Sequence, residues 1–216
     1  MSQNVSSAVM AQRHEPVDSL DYFPTPPWAT RAFMREHLQA HRCPRRFERI
    51  WEPACGEGHM AAVLQEFAPE FLASDVYDYG RGHAVGSFVG QGLDVMPPSP
   101  TCDWVITNPP FNLAIEFAHR ALDEALDGVA LLVRTAWVEG GDRYERLFAP
   151  HPPTQIVHYC ERVPMVAGRY DPKARSATAY SWFIWECDAD RRPDAWIAPG
   201  AKDRDFRLDD VRRWCS

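Results

Sequence analysis

The run from Val129 to Arg134 is apolar up to its last residue and sets the framework for the rest of the chain. A run of this kind, without alternation, is typical of a strand at the centre of a parallel sheet, where both faces are covered. Residues 113–126, just before it, have apolar side chains at helical spacing, among them Phe117 and Leu122. Strands that alternate with helices predict an α/β fold with a mostly parallel sheet.

The same patterns place the other elements of the sheet. Strands are predicted at residues 47–52, 71–75, 85–89, 103–108, 156–160 and 179–185, and helices at 25–41 and 57–67. The last two strands have no helix between them, so we expect this pair to be antiparallel. The prediction is a seven-stranded, Rossmann-like sheet with helices on both faces. Ligands of such sheets bind beyond the carboxyl ends of the strands.

Length and composition favour one domain without a metal site. The 216 residues suit a single domain, and no apolar run is long enough to span a membrane. Residues 1–20 do not resemble a secretory signal, so we expect a loosely attached arm there and one domain over 21–216. The six cysteines show no C-x-x-C spacing and no histidine cluster accompanies them, which favours a reducing, cytoplasmic location.

The formal net charge of −7 argues against a broad surface for gripping nucleic-acid phosphates. Two segments are nevertheless locally basic, although either could be an ordinary solvated surface. Residues 31–49 carry six arginines and two glutamates, and residues 161–176 contain Arg162, Arg169, Lys173 and Arg175. The second segment joins the last two predicted strands, so we expect it to overhang the ligand-binding edge of the sheet.

Two predicted strands end in residues that could hold a ligand. The first is followed by Glu52-Pro53-Ala54-Cys55-Gly56-Glu57-Gly58, whose glycines allow close approach to the backbone, although the third glycine of G-x-G-x-x-G is absent. Asp75 ends the next strand, where a carboxylate can accept hydrogen bonds from ribose hydroxyls. Asp94, after the third predicted strand, could accept from an adenine amine, with Val76, Val95 or Met96 beside the ring. Either aspartate could instead belong to a turn or cap.

The segment Thr107-Asn108-Pro109-Pro110-Phe111 carries the most specific chemistry. Its prolines fix the backbone directly after a predicted buried strand. The side-chain oxygen of Asn108 and the carbonyl of Pro109 can converge on one exocyclic NH2 group, which has two protons to donate. Phe111 can stack on the plane of the same base, a contact worth roughly 1–3 kcal/mol. The amine lone pair can then be directed at an electrophilic methyl group.

Together with Thr25-Pro26-Pro27, these segments resemble the amino-methyltransferases of nucleic acids. Their order along residues 21–187 is similar to the gamma group of DNA N6-adenine methyltransferases and to small phage and prophage-type adenine methyltransferases. The resemblance implies the class I methyltransferase fold, S-adenosylmethionine as cofactor, and transfer of a methyl group to N6 of adenine in DNA.

The resemblance also implies roles for the motif residues. The implied catalytic residues are Asn108, Pro109, Pro110 and Phe111. The implied cofactor-binding residues are Phe23, Thr25, Pro26, Glu52, Ala54, Gly56, Asp75, Val76, Asp94, Val95 and Asn108. For the substrate we add Phe111, the basic residues of 161–176, and two aromatic candidates, Trp137 and Tyr170. Both candidates could equally be packing residues.

Two departures from the family keep other functions open. Too few residues follow the last predicted strand for a separate target-recognition domain, so we expect relaxed sequence preference, or specificity from only about two to four bases read by loops. Phe111 stands where the gamma group commonly has tyrosine, and phenylalanine is also familiar from RNA adenine methyltransferases. The open alternatives are RNA adenine N6, cytosine N4, a protein glutamine amide, and a silent cofactor-binding or partner-binding module. DNA ranks ahead of RNA, no metal or membrane partner is expected, and the oligomeric state stays open.

Overall fold

The computed structural model describes residues 21–39, 48–90, 95 and 102–215. Within these residues, eight strands form one sheet in the order β3-β2-β1-β4-β5-β7-β6-β8. The strands are β1 (Arg49–Glu52), β2 (Glu70–Asp75), β3 (Ala84–Val85), β4 (Trp104–Thr107), β5 (Gly128–Arg134), β6 (Gln155–Tyr159), β7 (Tyr180–Glu186) and β8 (Ala195–Ile197). The chain steps outward from β1 to β3, returns to β4, and continues to the other edge. The first turn-back places β1 and β4 side by side at the centre.

Strands β1 to β5 are parallel to their neighbours among themselves, and β7 is antiparallel to both β5 and β6. The predicted α/β sheet, mostly parallel with an antiparallel last strand, is confirmed. Strand β8, which pairs in parallel with β6, was not predicted. Its three residues are too few to show a strand pattern, and its central Trp196 is exposed.

Helices cover both faces of the sheet. They are α1 (Pro27–Phe33), which continues as a π-helix (Met34–Gln39), α2 (His59–Leu64), α3 (Ala114–Glu124), a 3-10 turn (Thr135–Val138), α4 (Gly141–Arg143), which continues as a π-helix (Tyr144–Phe148), α5 (Ala201–Asp205) and α6 (Leu208–Trp214). Among these described helices, none is long and apolar enough to cross a membrane. Likewise, no group of three or more histidine, cysteine, aspartate or glutamate residues in the described chain could hold a metal ion.

Strand β5 shows why the sheet is central to the core. Its side chains alternate between the two faces: Ala130 and Leu132 pack against the cluster beneath α1 and α2, whereas Leu131 and Val133 pack against the cluster beneath α3. All four are buried, as expected for a strand covered on both sides. The absence of alternation in the sequence therefore reflects two apolar layers.

The basic segment at 31–49 does not form a cationic surface in its described part. Arg31 is only 1% exposed and pairs with Glu66 and Asp210. Ion pairs also join Arg35 to Asp205 and Arg49 to Glu70. Arg42, Arg45 and Arg46 lie outside the described residues, as does the predicted arm at 1–20. The local charge balance was misleading here because the partners lie far away in the sequence.

Candidate active site

A cavity of about 750 Å³, including its open mouth, lies at the carboxyl ends of β1, β2 and β4. This is the edge at which ligands of parallel sheets bind. Its lining includes Asp21, Tyr22, Phe23, Thr25, Glu52, Ala54, Cys55, His59, Asp75, Val76, Tyr79, Val89, Asn108 and Pro110. Three predicted segments, 21–25, 52–55 and 108–110, thus meet in one place.

Most of the predicted cofactor residues line this cavity. They are Phe23, Thr25, Glu52, Ala54, Asp75, Val76 and Asn108. Pro26, Gly56 and Val95 are close to it in sequence but do not line it, and Asp94 lies outside the described residues. Of the predicted catalytic segment, Pro110 lines the cavity, whereas Pro109 and Phe111 do not.

The glycine turn after β1 works differently from the expectation. Gly56 and Gly58 have φ angles of +54° and +97°, which residues with a side chain rarely adopt. A Cβ atom at Gly56 would lie 2.3 Å from the ring of Tyr22. The missing side chain therefore makes room for Tyr22, not for a ligand. The Gly56 N–H donates to Asp75 Oδ2 at 2.8 Å, which ties the turn to the end of β2.

Two buried carboxyl groups give the cavity an acidic character. Glu52 is 2% exposed, and its Oε2 has no hydrogen-bond partner in the described chain. Burial, and then the nearby Asp75, raise the pKa of Glu52 well above its ordinary value. Burial also raises the pKa of Asp75, although its oxygens accept from the N–H groups of Gly56 and Tyr77. An unpartnered carboxyl group in a ligand-sized cavity suits a cationic or hydrogen-bond-donating ligand.

His59 belongs to the cavity wall and was missed by the sequence analysis. Its Nδ1 lies 3.3 Å from the Tyr22 hydroxyl, and its ring lies 4.2 Å from that of Trp214 and 5.7 Å from that of Tyr170. Burial, followed by the charges of Arg81 and Arg213, lowers the pKa of His59 to about 3. The imidazole is therefore neutral at physiological pH. Its position directly after the glycine turn was the only signal in the sequence.

Asn108 is held in one orientation at the end of β4. Its Nδ2 donates to the Phe23 carbonyl at 2.9 Å and to Thr25 Oγ1 at 3.2 Å. Because a carbonyl oxygen can only accept, the amide nitrogen must face Phe23. Asn108 Oδ1 is buried and accepts no hydrogen bond from any described residue. The side chain therefore keeps an unpartnered acceptor, and the residue lines the cavity.

The segment 21–25 and the loop between β6 and β7 close over Asn108 from two sides. Asp21 Oδ2 accepts from the Phe111 N–H at 2.6 Å. The Tyr22 carbonyl accepts from the Gly168 N–H at 2.9 Å. Met165 Sδ lies 3.6 Å from Asn108 Nδ2. The loop between β6 and β7 thus reaches the cavity region, as the sequence suggested.

The Phe111 ring lies outside the cavity, in an aromatic cluster beside it. Its centroid is 5.6 Å from that of Phe23 and 6.2 Å from that of Tyr180. The guanidinium carbon of Arg134 lies over the ring at 4.5 Å from the centroid. Phe111 is therefore held next to Asn108 by its aromatic neighbours and by its backbone N–H. The Arg134 guanidinium stacks on its ring, and Arg134 was not among the predicted site residues.

The predicted substrate residues fall into two groups. Trp137 packs edge-on against Phe148 and Phe183 and lies in the core beneath α3. Tyr170 is 7% exposed and faces His59, so neither aromatic side chain is presented to a substrate. The basic side chains of the loop between β6 and β7 are instead exposed: Arg162, Arg169, Lys173 and Arg175.

No model of a protein family matches the chain, and no curated protein matches its sequence. Several solved structures are nevertheless similar in fold. A protein described as a modification subunit of a type I restriction enzyme, from Vibrio vulnificus, aligns with a TM-score of 0.54 and 12% identity over 89% of this chain and 51% of that one. A type I restriction-modification methyltransferase subunit from Streptococcus thermophilus aligns with a TM-score of 0.55 and 9% identity over 80% of this chain and 47% of that one.

A third similar structure is described as an RNA methyltransferase, from Pyrococcus horikoshii. It aligns with a TM-score of 0.56 and 15% identity over 80% of this chain and 91% of that one. The chain has the class I methyltransferase fold. It spans about half the length of the two restriction-system subunits. At these identities the likeness establishes the arrangement of strands and helices, and the chemistry has to be argued from the site.

Proposed function

We propose that this protein is an S-adenosylmethionine-dependent methyltransferase that acts on an exocyclic amine of a nucleic-acid base, namely N6 of adenine in DNA. The observation that carries the proposal is the hydrogen bonding of the Asn108 side chain. Its nitrogen is held by Phe23 and Thr25, and its oxygen is left as a buried acceptor without a partner. Such an acceptor is costly to bury unless a ligand completes it, and an exocyclic NH2 group would do so.

The cavity next to Asn108 fits the proposed cofactor in charge and in hydrogen bonding. S-adenosylmethionine supplies a methyl group on a positively charged sulfur, and it also carries an ammonium group and ribose hydroxyls. Glu52 offers a carboxyl oxygen with no partner in the described chain, which suits the ammonium group. Asp75 has room to accept further hydrogen bonds because each carboxylate oxygen has two lone pairs. It would hold the ribose, with Val76 beside the adenine.

The residues of the chain would act mainly by positioning the amine. Asn108 Oδ1 would accept one amine proton and the Pro109 carbonyl the other, which directs the nitrogen lone pair towards the methyl group. Positioning of two reactants can supply about 7–11 kcal/mol of the barrier. Asn108 is neutral and takes no proton. The amine becomes cationic as it attacks and can release its proton afterwards, so we assign no general base.

Two further observations support a nucleic-acid substrate. The exposed basic side chains of the loop between β6 and β7 follow the strand end beside the cavity, where they could meet phosphates. The solved structures that share the fold include proteins described as acting in DNA restriction-modification and on RNA. The target base must be flipped out of a duplex or arrive single-stranded, because N6 of a paired and stacked adenine cannot enter a pocket.

The substrate class is tested by offering the full chain labelled S-adenosylmethionine with duplex DNA, single-stranded DNA, total RNA or cell protein, and identifying the modified product after digestion. We expect N6-methyladenine from DNA. Label only in RNA, only in cytosine or only in protein glutamine would replace the proposed substrate with that alternative. Cofactor binding without any transfer would identify a silent module.

The role of Asn108 is tested by the variant Asn108→Ala. Removing one preorganised contact of this kind typically lowers kcat by about 100- to 1,000-fold, and we expect cofactor affinity to stay within a few-fold. Asn112→Ala is the matched control, because Asn112 belongs to the same segment but is exposed and does not line the cavity, so its loss should cost little activity. Loss of cofactor binding in Asn108→Ala, with transfer otherwise proportional to bound cofactor, would show that Asn108 is structural.

A further inference from the structure

We infer that Arg134 binds a phosphate group of the target nucleotide or of its direct neighbour. This inference rests on the proposed function and adds a substrate-binding residue to it. Arg134 is the last residue of β5. It stands at the carboxyl edge of the sheet, next to β4, the strand that Asn108 directly follows.

Hydrogen bonds on both sides of Arg134 fix the backbone from which its side chain projects. Arg134 pairs with Tyr180 across β5 and β7. The next residue, Thr135, donates its N–H to the Ala179 carbonyl at 2.9 Å, and its hydroxyl lies 2.7 Å from that of Ser181. The arginine therefore projects from a strand end that is secured on both sides of the residue.

The guanidinium is held beside the catalytic segment by an aromatic ring. It lies over Phe111 at 4.5 Å, and Phe111 is three residues after Asn108 in a segment made rigid by two prolines. The Phe111 N–H is itself anchored on Asp21. A stacked guanidinium keeps its N–H donors at the ring edge free for a phosphate, which it can bind through two parallel hydrogen bonds.

The charge of Arg134 is available for a ligand. Its side chain is exposed, and among the described residues no carboxylate forms an ion pair with it. Arg49 is the natural comparison, because it begins β1 at the opposite edge of the sheet and is paired with Glu70. Arg49 thus stabilises the fold through an ion pair, whereas the charge of Arg134 stays beside the cavity without a carboxylate partner among the described residues.

The experiment compares Arg134→Met, Arg134→Lys and the control Arg49→Met with the wild-type chain. Binding of random-sequence single-stranded and duplex DNA is measured as a function of salt, together with methyl transfer and cofactor affinity. Loss of one phosphate contact should reduce the slope of log affinity against log salt by about 0.7 for single strands and 0.9 for duplex. We expect that change in Arg134→Met, with DNA affinity at low salt reduced on the order of three- to ten-fold.

The other readouts separate this role from a structural one. Cofactor affinity should stay at the wild-type value in both Arg134 variants, and Arg134→Lys should keep the wild-type salt slope because it keeps the charge. An unchanged slope in Arg134→Met, or equal losses in Arg134→Lys and Arg134→Met, would overturn the inference. Wild-type chain that neither binds nor methylates any nucleic acid would instead refute the proposed function itself.

Discussion

Replacing Arg31 by methionine should destabilise the protein by about 3 kcal/mol, because the change leaves buried acceptors without their cation. The Arg31 guanidinium donates to Glu66 at 3.1 and 2.8 Å, to Asp210 at 3.2 and 3.4 Å, and to the Asp205 carbonyl at 2.7 Å. It thereby joins α1 to the end of α2 and to α5 and α6. Methionine fills much of the same space, so loss of charge and hydrogen bonds dominates.

The size of this destabilisation depends on how exposed Glu66 and Asp210 are once Arg31 is removed. Breaking a buried ion pair by removing one partner costs about 3–5 kcal/mol. Glu66 is 29% exposed and would keep Arg207 at 2.9 Å, so its charge stays partly compensated. Asp210 is 16% exposed and would lose its buried cation. We therefore expect the lower end of the range, which corresponds to a Tm lower by about 6–12 °C for a chain of this size.

Urea unfolding of Arg31→Met, with Arg212→Met as the matched control, measures this difference. The Arg212–Asp209 pair is 77% and 84% exposed, and an exposed pair of this kind contributes only about 0.2–1 kcal/mol. Cofactor affinity should also fall in Arg31→Met, because α6 carries the Trp214 ring that lies against His59. If the free energies of unfolding of the two variants agree to within about 1 kcal/mol, the buried network does not have the role assigned to it.

Two further predictions concern the cavity. Burial raises the pKa of Glu52, so the unfolded chain loses that proton at lower pH than the folded chain, and the free energy of unfolding falls as pH rises above about 4.3. In urea unfolding, the stability of Glu52→Gln relative to the wild type should therefore increase with pH. A stability difference that does not change with pH would contradict this. Gly56→Ala should destabilise the fold by about 1–2 kcal/mol because of the left-handed backbone, and by more because of the contact with Tyr22. In the same measurement, adding Tyr22→Ala to Gly56→Ala should relieve part of this loss. Strictly additive losses in the double variant would rule out that contact.

Most of the sheet was predictable because its longer strands have a local sequence pattern. Apolar runs such as Val129–Arg134 and the helical spacing at 113–126 depend only on neighbouring residues, and both elements are present as β5 and α3. Strand β8 and the helices α5 and α6 gave no comparable signal, since they are short and are held mainly by long-range contacts. The ion pairs of Arg31 with Glu66 and Asp210, 35 and 179 residues away, illustrate such contacts.

The candidate site could be located from the sequence where backbone chemistry constrains the residue type. The prolines after Asn108 and the glycine turn after Glu52 mark strand ends regardless of what packs around them. The sequence could not show what fills the space beside each motif. Tyr22 occupies the room next to Gly56, and His59 completes the cavity wall. Neither contact is encoded in spacing, because each depends on how segments far apart in sequence are brought together.

The net charge of −7 ceases to oppose a nucleic-acid ligand once the partners of the cations are known. Several arginines away from the cavity are paired with carboxylates, among them Arg49 and Arg192. Among the described residues, no carboxylate forms an ion pair with Arg134, which ends β5, or with Arg162 and Arg175, which lie in the loop after β6. Since a phosphate contact depends on the charge within about a Debye length of it and not on the total, a chain that is acidic overall can still present a cationic edge to a nucleic acid beside its cavity.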